Sequence, residues 1–507
     1  MITLINPPGI KSLAGLQIHA PNPPLGLAYI AAVVKQSGRP CTVIDATGLG
    51  LDVVGPYPGR DDLLLQGLPF EHIVQRIPDE TDVIGVTCTF SSLWPLTRHL
   101  IQDIRKRFPK VLIVVGGEHV TALAEHTLTT SPVDIVVMGE GEETFLNLLT
   151  AHENKQDFLS IGGIAFLRDG RMVSTGLSLR NRNIDALPLP DWDAIPIGEY
   201  IDRAQTNGIN LGRSMPIMMT RGCPYRCSFC SSPGMWTTRY VPRDPVRIVD
   251  EMAMYIKKYN VRNFDSQDLT AIVKRSWVIH LCREIIDRRL NITWQMPTGT
   301  RSEVFDVEVI RLLYQSGCRL LSFAPESGSV ELLKSVQKQV DLTSMERAIR
   351  VSLQHGFKVS CFFVIGFPNE TKKTLGDTMT LIRRLAWIGV HDVTVTKFVP
   401  YPGSLIFREI NQIKLNDEFF ISPMDFYTAN APSYAQEISS RSLYHTMLWM
   451  FVNFYILSFI LRPFRVMKIL WIAITTGEEQ TKYAKWFRYR FLNRNKWRKA
   501  LNRQPKK

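Results

Sequence analysis

Thr220-Arg221-Gly222-Cys223-Pro224-Tyr225-Arg226-Cys227-Ser228-Phe229-Cys230 places three of the chain's eight cysteines within eight residues. The other five, Cys41, Cys88, Cys282, Cys318 and Cys361, are scattered singly, mostly in apolar runs. A disulfide framework has paired, regular spacings, so this usage points to a reducing compartment and free thiols. Thiolates are the ligands of iron–sulfur clusters. Three of them on a four-iron cube leave one iron open to a small molecule. Zinc is the competing ligand, but a structural zinc site takes a fourth Cys or His, and none lies at motif distance. Three unrelated core cysteines would not sit in so polar and glycine-containing a segment.

The chain on either side has a regular rhythm. Downstream, strand-length apolar runs at 216–220, 263–265, 293–296, 320–324, 359–365 and 393–398 alternate with helical patterns at 246–258, 274–288, 307–316 and 371–388. Six such units predict a partial barrel with its chemistry at the carboxyl ends of the strands. Upstream, runs at 2–5, 41–44, 83–86, 111–115 and 134–138 alternate with helical patterns at 25–36, 95–107 and 142–151. Short, nearly all-apolar strands of this kind belong to a parallel sheet covered on both faces. Its ligands lie where the strands end. Between the two units, a small hairpin is expected at 164–173, with Asp169-Gly170 as its turn, before the proline-rich linker LPLPDWDAIP.

Length and composition agree with this division. A chain of 507 residues exceeds one ordinary core, and 45% hydrophobic with 21% charged residues is a globular composition. The amino-terminal MITLINPPG has neither the basic nor the apolar region of a secretory signal, so none is expected. The formal charge of +13 is local, because Lys482 to Lys507 holds eleven Lys or Arg and no acid, leaving about +2 elsewhere. No recognition motif accompanies these cations, and nucleic acid is not expected as a partner.

Residues 443–461, LYHTMLWMFVNFYILSFIL, contain no Asp, Glu, Lys or Arg. Nineteen such residues reach the minimum for a membrane span but equally suit a core helix. Arg462-Pro463 then interrupts the run before a second apolar stretch at 469–474. Tyr483, Trp486, Phe487, Trp497 and Leu501 fall on one helical side among the cations, which suits an interface with anionic lipid. The chemistry-bearing motifs end by about residue 405, so removing the residues after about 436 is expected to leave the chemistry intact if the rest stays folded.

The cysteine motif, with an aromatic residue before its last cysteine, resembles the radical S-adenosylmethionine (SAM) superfamily. The resemblance implies a 4Fe–4S cluster on Cys223, Cys227 and Cys230, with SAM on the open iron and cleaved to a 5′-deoxyadenosyl radical. It also implies SAM contacts by Phe229, by Asp265 in FDSQDLT (with Asp268), by Glu326 and Ser327 in APESGS, and by Gly366 in IGFP. KFVPYPGS after the sixth strand is similar too.

The upstream segments PPLGLAYIAAVVKQSG, CTVIDATG, GGEHVTA and VVMGEGEETF are similar, in this order, to cobalamin-binding domains fused to such barrels. That family includes methylases and the anaerobic ring-forming cyclase of bacteriochlorophyll synthesis. The likeness implies cobalamin contacts by Asp45, Thr47, Gly48, Gly116, Gly117, Glu118, His119, Gly139, Gly141 and Glu142. Relatives that replace the lower cobalt ligand carry DxHxxG, whereas this chain has Asp45-Ala46-Thr47-Gly48-Leu49-Gly50. Threonine is no imidazole-type ligand, so cobalt coordination by a histidine in this loop is not expected.

The expected fold is α/β: a Rossmann-like cobalamin-binding domain (1–155), a linker with the hairpin (156–205), a partial (β/α)6 radical SAM barrel (206–435) and a helical, apolar-then-basic region (436–507). The expected enzyme methylates an unactivated carbon of a hydrophobic substrate, lipid, isoprenoid or tetrapyrrole-like; oxidative or ring-forming chemistry is the alternative. Its expected partners are a flavodoxin or ferredoxin and an anionic membrane surface on the cytoplasmic side.

Overall fold

The computed structural model describes residues 1–13, 21–410 and 413–488. The parallel strands β1 (Ile2–Asn6), β2 (Cys41–Asp45), β3 (Val83–Thr87), β4 (Leu112–Gly116) and β5 (Ile135–Val137) form the first sheet with the hairpin β6 (Ile164–Arg168) and β7 (Arg171–Ser174). The order is β7-β6-β5-β4-β3-β1-β2. The Asp169-Gly170 turn has both residues at positive φ, as a two-residue hairpin demands. The hairpin is not confined to the linker: β6 pairs antiparallel with β5 and extends the sheet past the expected boundary at 155.

Each face of this sheet is covered because its strands are apolar on both sides. Leu27, Ala31 and Val34 of helix α1 (Leu25–Gln36) join Phe145, Leu148 and Leu149 of α3 (Glu142–Glu153) over one face. Trp94, Leu100, Ile101 and Ile104 of α2 (Trp94–Arg107) cover the other. The strand order reverses between β1 and β3, so the crevice at their carboxyl ends is the sheet's natural ligand position.

Gly9–Ser12, Val54–Tyr57 and Arg60–Gln66 make a small antiparallel sheet that the sequence reading missed. Its middle, Pro56-Tyr57-Pro58-Gly59-Arg60-Asp61-Asp62, is all turn chemistry with no alternation to reveal a strand.

The second sheet, β8 (Ser214–Ile217), β9 (Asn263–Ser266), β10 (Thr293–Thr300), β11 (Cys318–Glu326), β12 (Lys358–Ile365) and β13 (Asp392–Lys397), is parallel and in sequence order, as a partial barrel requires. Helix α4 (Leu342–Gln354) lies between β11 and β12, and helix α5 (Lys372–Ile388), closed by a Thr371–Thr374 capping box and by left-handed Gly389, lies between β12 and β13.

Helix α6 (Ser440–Leu461) starts at Ser439, whose hydroxyl accepts from Ser442 N, and ends before Pro463. Leu443, Met447, Met450 and Phe454 recur at helical spacing and are buried in the barrel's core cluster against α5 and β13. The opposite face exposes Trp449, Val452, Ile456 and Ile460. Helix α7 (Pro463–Thr475) follows, exposing Phe464, Met467, Trp471 and Ile474. Arg462 donates to the carbonyls of Ala386 and Trp387, and Arg465 to those of Gly389 and Val390, capping the end of α5. The inner face of α6 is therefore part of the barrel's wall, as the core-helix alternative for 443–461 requires, and removing it would uncover the barrel core. Among the described residues α6 is the one helix long and apolar enough to cross a membrane. Trp497 and Leu501 lie outside the described residues.

Candidate active site between two facing sheets

The cysteine loop follows a two-residue ladder in which Thr220–Arg221 pairs with Val241–Pro242. Gly222 turns the chain into the loop at φ +81, where a Cβ would lie 2.1 Å from the Arg239 carbonyl oxygen. Ser228 fixes the middle: its N–H donates to Val336 O (3.0 Å) and its carbonyl accepts from Ile406 N (3.0 Å). Cys223, Cys227 and Cys230 are free and half-buried. Among the described residues no three Cys, His, Asp or Glu side chains converge tightly enough for a single metal ion. Three thiols are the complete protein ligand set of a cube with one open iron, whereas a structural zinc takes four protein donors, so the donor set fits the cluster.

Two cations missed by the sequence reading stand beside these thiols. Arg301, just beyond β10, lies over the Tyr225 ring (3.7 Å to its centroid), and its buried Nη1 has no hydrogen-bond partner. Lys338 is buried and donates to Glu326 Oε1 at 2.9 Å. Burial pushes the Cys223 and Cys227 thiols up, and these two cations oppose that shift. Positive charge in a desolvated pocket complements the anionic thiolates of a cluster. No periodicity announces Arg301 or Lys338, because each sits singly past an element's end.

The expected SAM residues divide. Phe229 packs on Phe367 (ring centroids 5.4 Å apart), which places it beside Gly366. Gly366 has φ +89, its N–H donates to Glu370 Oε2 (3.1 Å), and a Cβ there would lie 2.7 Å from Leu443 Cδ1 of α6. Glu326 ends β11 at φ +64, bonded to Lys338. Ser327 is buried with its hydroxyl shared with Thr378 (2.9 Å) and accepting from Ser329 N. Asp265 lies buried in β9, accepting from Thr206, Asn263 and Gln295. Asp268 accepts from Met219 N, the backbone and hydroxyl of Thr220, and Ser266, bracing the approach to the cysteines. Ser327, Asp265 and Asp268 thus have internal work, whereas Phe229, Glu326 and Gly366 gather around the cysteine loop.

In the first domain most of the expected cofactor residues are also occupied within the protein. Asp45 is fully buried and accepts from Asn6, Gly48 N and Tyr200, its carboxyl raised by burial. Thr47 donates to Pro7 O at 2.9 Å. A Cβ on Gly48 would strike Asp45, on Gly117 the Cys88 carbonyl (2.4 Å), and on Gly139 Ser178 Oγ (2.5 Å). These glycines allow close approach of the chain to itself. His119 hydrogen-bonds Ser91 through Nδ1 (2.9 Å) and stacks on Trp94; burial pulls it down to about 3, so it is neutral. Glu118 and Glu142 reach Ser231 and Arg221 across the domain boundary. Gly116 and Gly141 remain at strand ends without such a collision from the backbone. Phe90, 65% exposed just past β3 at the strand-order reversal, is a further residue of this edge. An apolar ring standing open there suits the broad face of a corrin.

Two sheets thus present their carboxyl edges to each other, one carrying a three-thiol loop flanked by cations and the other a ligand crevice. This is the architecture of an enzyme that joins two large cofactors. The chain matches the B12 binding domain over residues 12–149 and the Radical SAM superfamily over residues 217–382. It belongs to the cobalamin-binding radical SAM enzymes, whose cofactors are a 4Fe–4S cluster, SAM and cobalamin, and which draw on a reductant such as flavodoxin. It is 27% identical to an uncharacterised methyltransferase of Pyrococcus horikoshii, covering 80% of this chain and 82% of that one. It is also 27% identical to the anaerobic magnesium-protoporphyrin IX monomethyl ester cyclase of Rubrivivax gelatinosus, over 78% and 68% of the two chains. TsrM of Kitasatospora setae, a radical SAM methyltransferase solved with cobalamin and a [4Fe-4S] cluster, shares the fold at TM-score 0.61 and 19% identity, over 81% and 77% of the chains.

Proposed function

We propose that this enzyme methylates an unactivated carbon of a hydrophobic substrate of lipid, isoprenoid or tetrapyrrole type. The observation that carries the reading is the apposition of the cobalamin-domain edge and the cysteine loop, in contact through Glu118 and Ser231. Bound together, the cofactors would supply hydrogen-atom abstraction by an adenosyl radical and a methyl group for the substrate radical. The chain's part is positioning. Cys223, Cys227 and Cys230 would hold the cluster, Arg301 and Lys338 would balance its charge, and Phe229 and the Gly366 loop would seat the adenine.

Ring formation without methyl transfer is the second reading, because the cyclase is among the relatives. Anaerobic reconstitution with candidate substrates, followed by mass spectrometry, separates the two. Methyl addition raises the product mass by about 14 and carries the label of methyl-deuterated SAM into the product, whereas hydrogen loss, oxygen insertion or the two combined carries no such label. A product without the added methyl refutes the first reading.

The carboxyl-terminal helices support a further part of the proposal: contact with the cytoplasmic face of an anionic membrane. The outward residues of α6 and α7 are 42% (Val452) to 85% (Phe464) exposed, and the eleven cations follow in sequence. Because the inner face of α6 is barrel wall, this contact lies in the plane of the membrane and does not span it. That apolar surface is also the argument for an apolar substrate.

A further inference from the structure

Arg221 is the second residue before Cys223, and its side chain is 5% exposed. Its Nη1 lies 3.0 Å from Glu140 Oε1 and its Nη2 2.5 Å from Glu142 Oε1. Both acids belong to the Gly139–Glu142 turn that leaves β5 of the cobalamin-binding domain. Arg180, from the linker, pairs with Glu140 at 2.6 Å and lies over the Trp236 ring, the last residue of the helix after the cysteines. Tyr29 of α1 lies under Arg221 at 5.1 Å. Two guanidiniums and two carboxylates, each buried, therefore meet where the two domains touch. At the other end of the cysteine loop, Ser231 follows Cys230 and donates to Glu118, which opens the helix after Gly116–Gly117.

The residues flanking the first and last cysteines are thus each tied to a different strand-end loop of the opposite domain. We infer that Arg221 with Glu140 and Glu142, and Ser231 with Glu118, are positioning struts that fix the cysteine loop relative to the cobalamin-binding edge. The inference rests on the assignment of the two cofactors to these two edges, and not on which reaction they perform.

The chemistry gives such struts a purpose. A carbon radical made at one edge must meet a group held at the other, and reaction demands near-contact with aligned orbitals. A hinge between the domains would let that separation vary. Arginine suits the first strut because its planar fork engages two carboxylates in one fixed geometry, which a lysine ammonium cannot do. Burial of all four charged groups keeps water from loosening the pair. Ser231 and Glu118 then remove the rotation that a single strut would leave.

The test uses the full-length enzyme loaded anaerobically with cobalamin and the cluster. With both Co(II) and the reduced cluster paramagnetic, their dipolar interaction in pulsed electron paramagnetic resonance reports the separation and its spread. Wild type should give one narrow separation. R221K and S231A should each retain full cobalt and iron content yet broaden the distribution, and the double variant should broaden it further. Unchanged spectra in the fully loaded double variant would overturn the inference. So would loss of the cluster or of cobalamin in a normally folded S231A, since that would make these groups supports of one cofactor and not spacers between two. If R221K does not fold, S231A alone decides, because it removes only one hydroxyl. None of these readouts depends on product formation, so failure of the methylation reading leaves the test intact.

Discussion

Gly366 to alanine should cripple the SAM end of the barrel, and trimming Leu443 should restore part of the loss. The glycine holds φ +89, where an L-residue is strained by about 1–2 kcal/mol. The new methyl would stand 2.7 Å from Leu443 Cδ1, and such overpacking costs about 1–3 kcal/mol more. L443A alone removes a side chain that is 1% exposed and should cost about 2–5 kcal/mol by cavity formation. In the double variant the cavity accepts the methyl while the backbone strain persists. The two changes should therefore fall short of additivity by about 1–3 kcal/mol. Denaturant midpoints of the single and double variants measure this coupling, with SAM-dependent 5′-deoxyadenosine formation as the functional readout. G366A should raise the KM for SAM, and L443A should lower it again in the G366A background. Coupling below about 0.5 kcal/mol would refute the reasoning, because Leu443 would then not back this loop.

Changing Cys223, Cys227 and Cys230 to alanine should abolish both the 4Fe–4S absorbance and 5′-deoxyadenosine; a triple variant that still cleaves SAM reductively contradicts the site. Glu370 is 2% exposed and its carboxyl is pushed up to about 7 by burial, from 4.5. The fold binds this proton more tightly than the unfolded chain, so stability falls as pH rises from about 4.5 to about 7, by about 3 kcal/mol. E370Q should flatten that slope in urea titrations, and an unchanged slope would show that another group causes it. The Co(II) spectrum should contain no nitrogen splitting that H119A removes, because the His119 ring is held by Ser91 and Trp94. Sedimentation with vesicles should capture the full-length enzyme on anionic but not neutral lipid, and less so in high salt. An enzyme that stays in the supernatant at low salt removes both the membrane contact and the case for an apolar substrate.

The legibility of this chain followed the physics of each segment. Strands buried on both faces, such as Val83–Thr87 and Lys358–Ile365, write themselves as apolar runs, and both sheets were readable for that reason. The cysteine loop was readable because its ligand spacing is local. Arg301, Lys338 and the task of Glu140 were invisible, since each acts on a residue far away in sequence, Tyr225, Cys227 and Arg221 respectively. Glu118 and Glu142 sit in recognisable motifs, yet the motif reports a loop and not the direction of a side chain. The inner and outer faces of α6 are equally apolar, so hydropathy alone could not distinguish barrel wall from membrane contact.

The placement of α6 also constrains when the enzyme can become competent. β13 is an edge strand, and α6, which packs beside it, leaves the ribosome after every strand of both sheets. The first domain can fold early in synthesis. The second cannot complete the wall behind Gly366 until Leu443 arrives, nor satisfy buried Lys397, whose Nζ donates to Ala431 O and Ser440 Oγ. Until then the nascent barrel presents an apolar flank and an uncovered sheet edge, the kind of surface that aggregates or recruits chaperones. Assembly of the barrel wall around Gly366 is thus a late event that waits for α6.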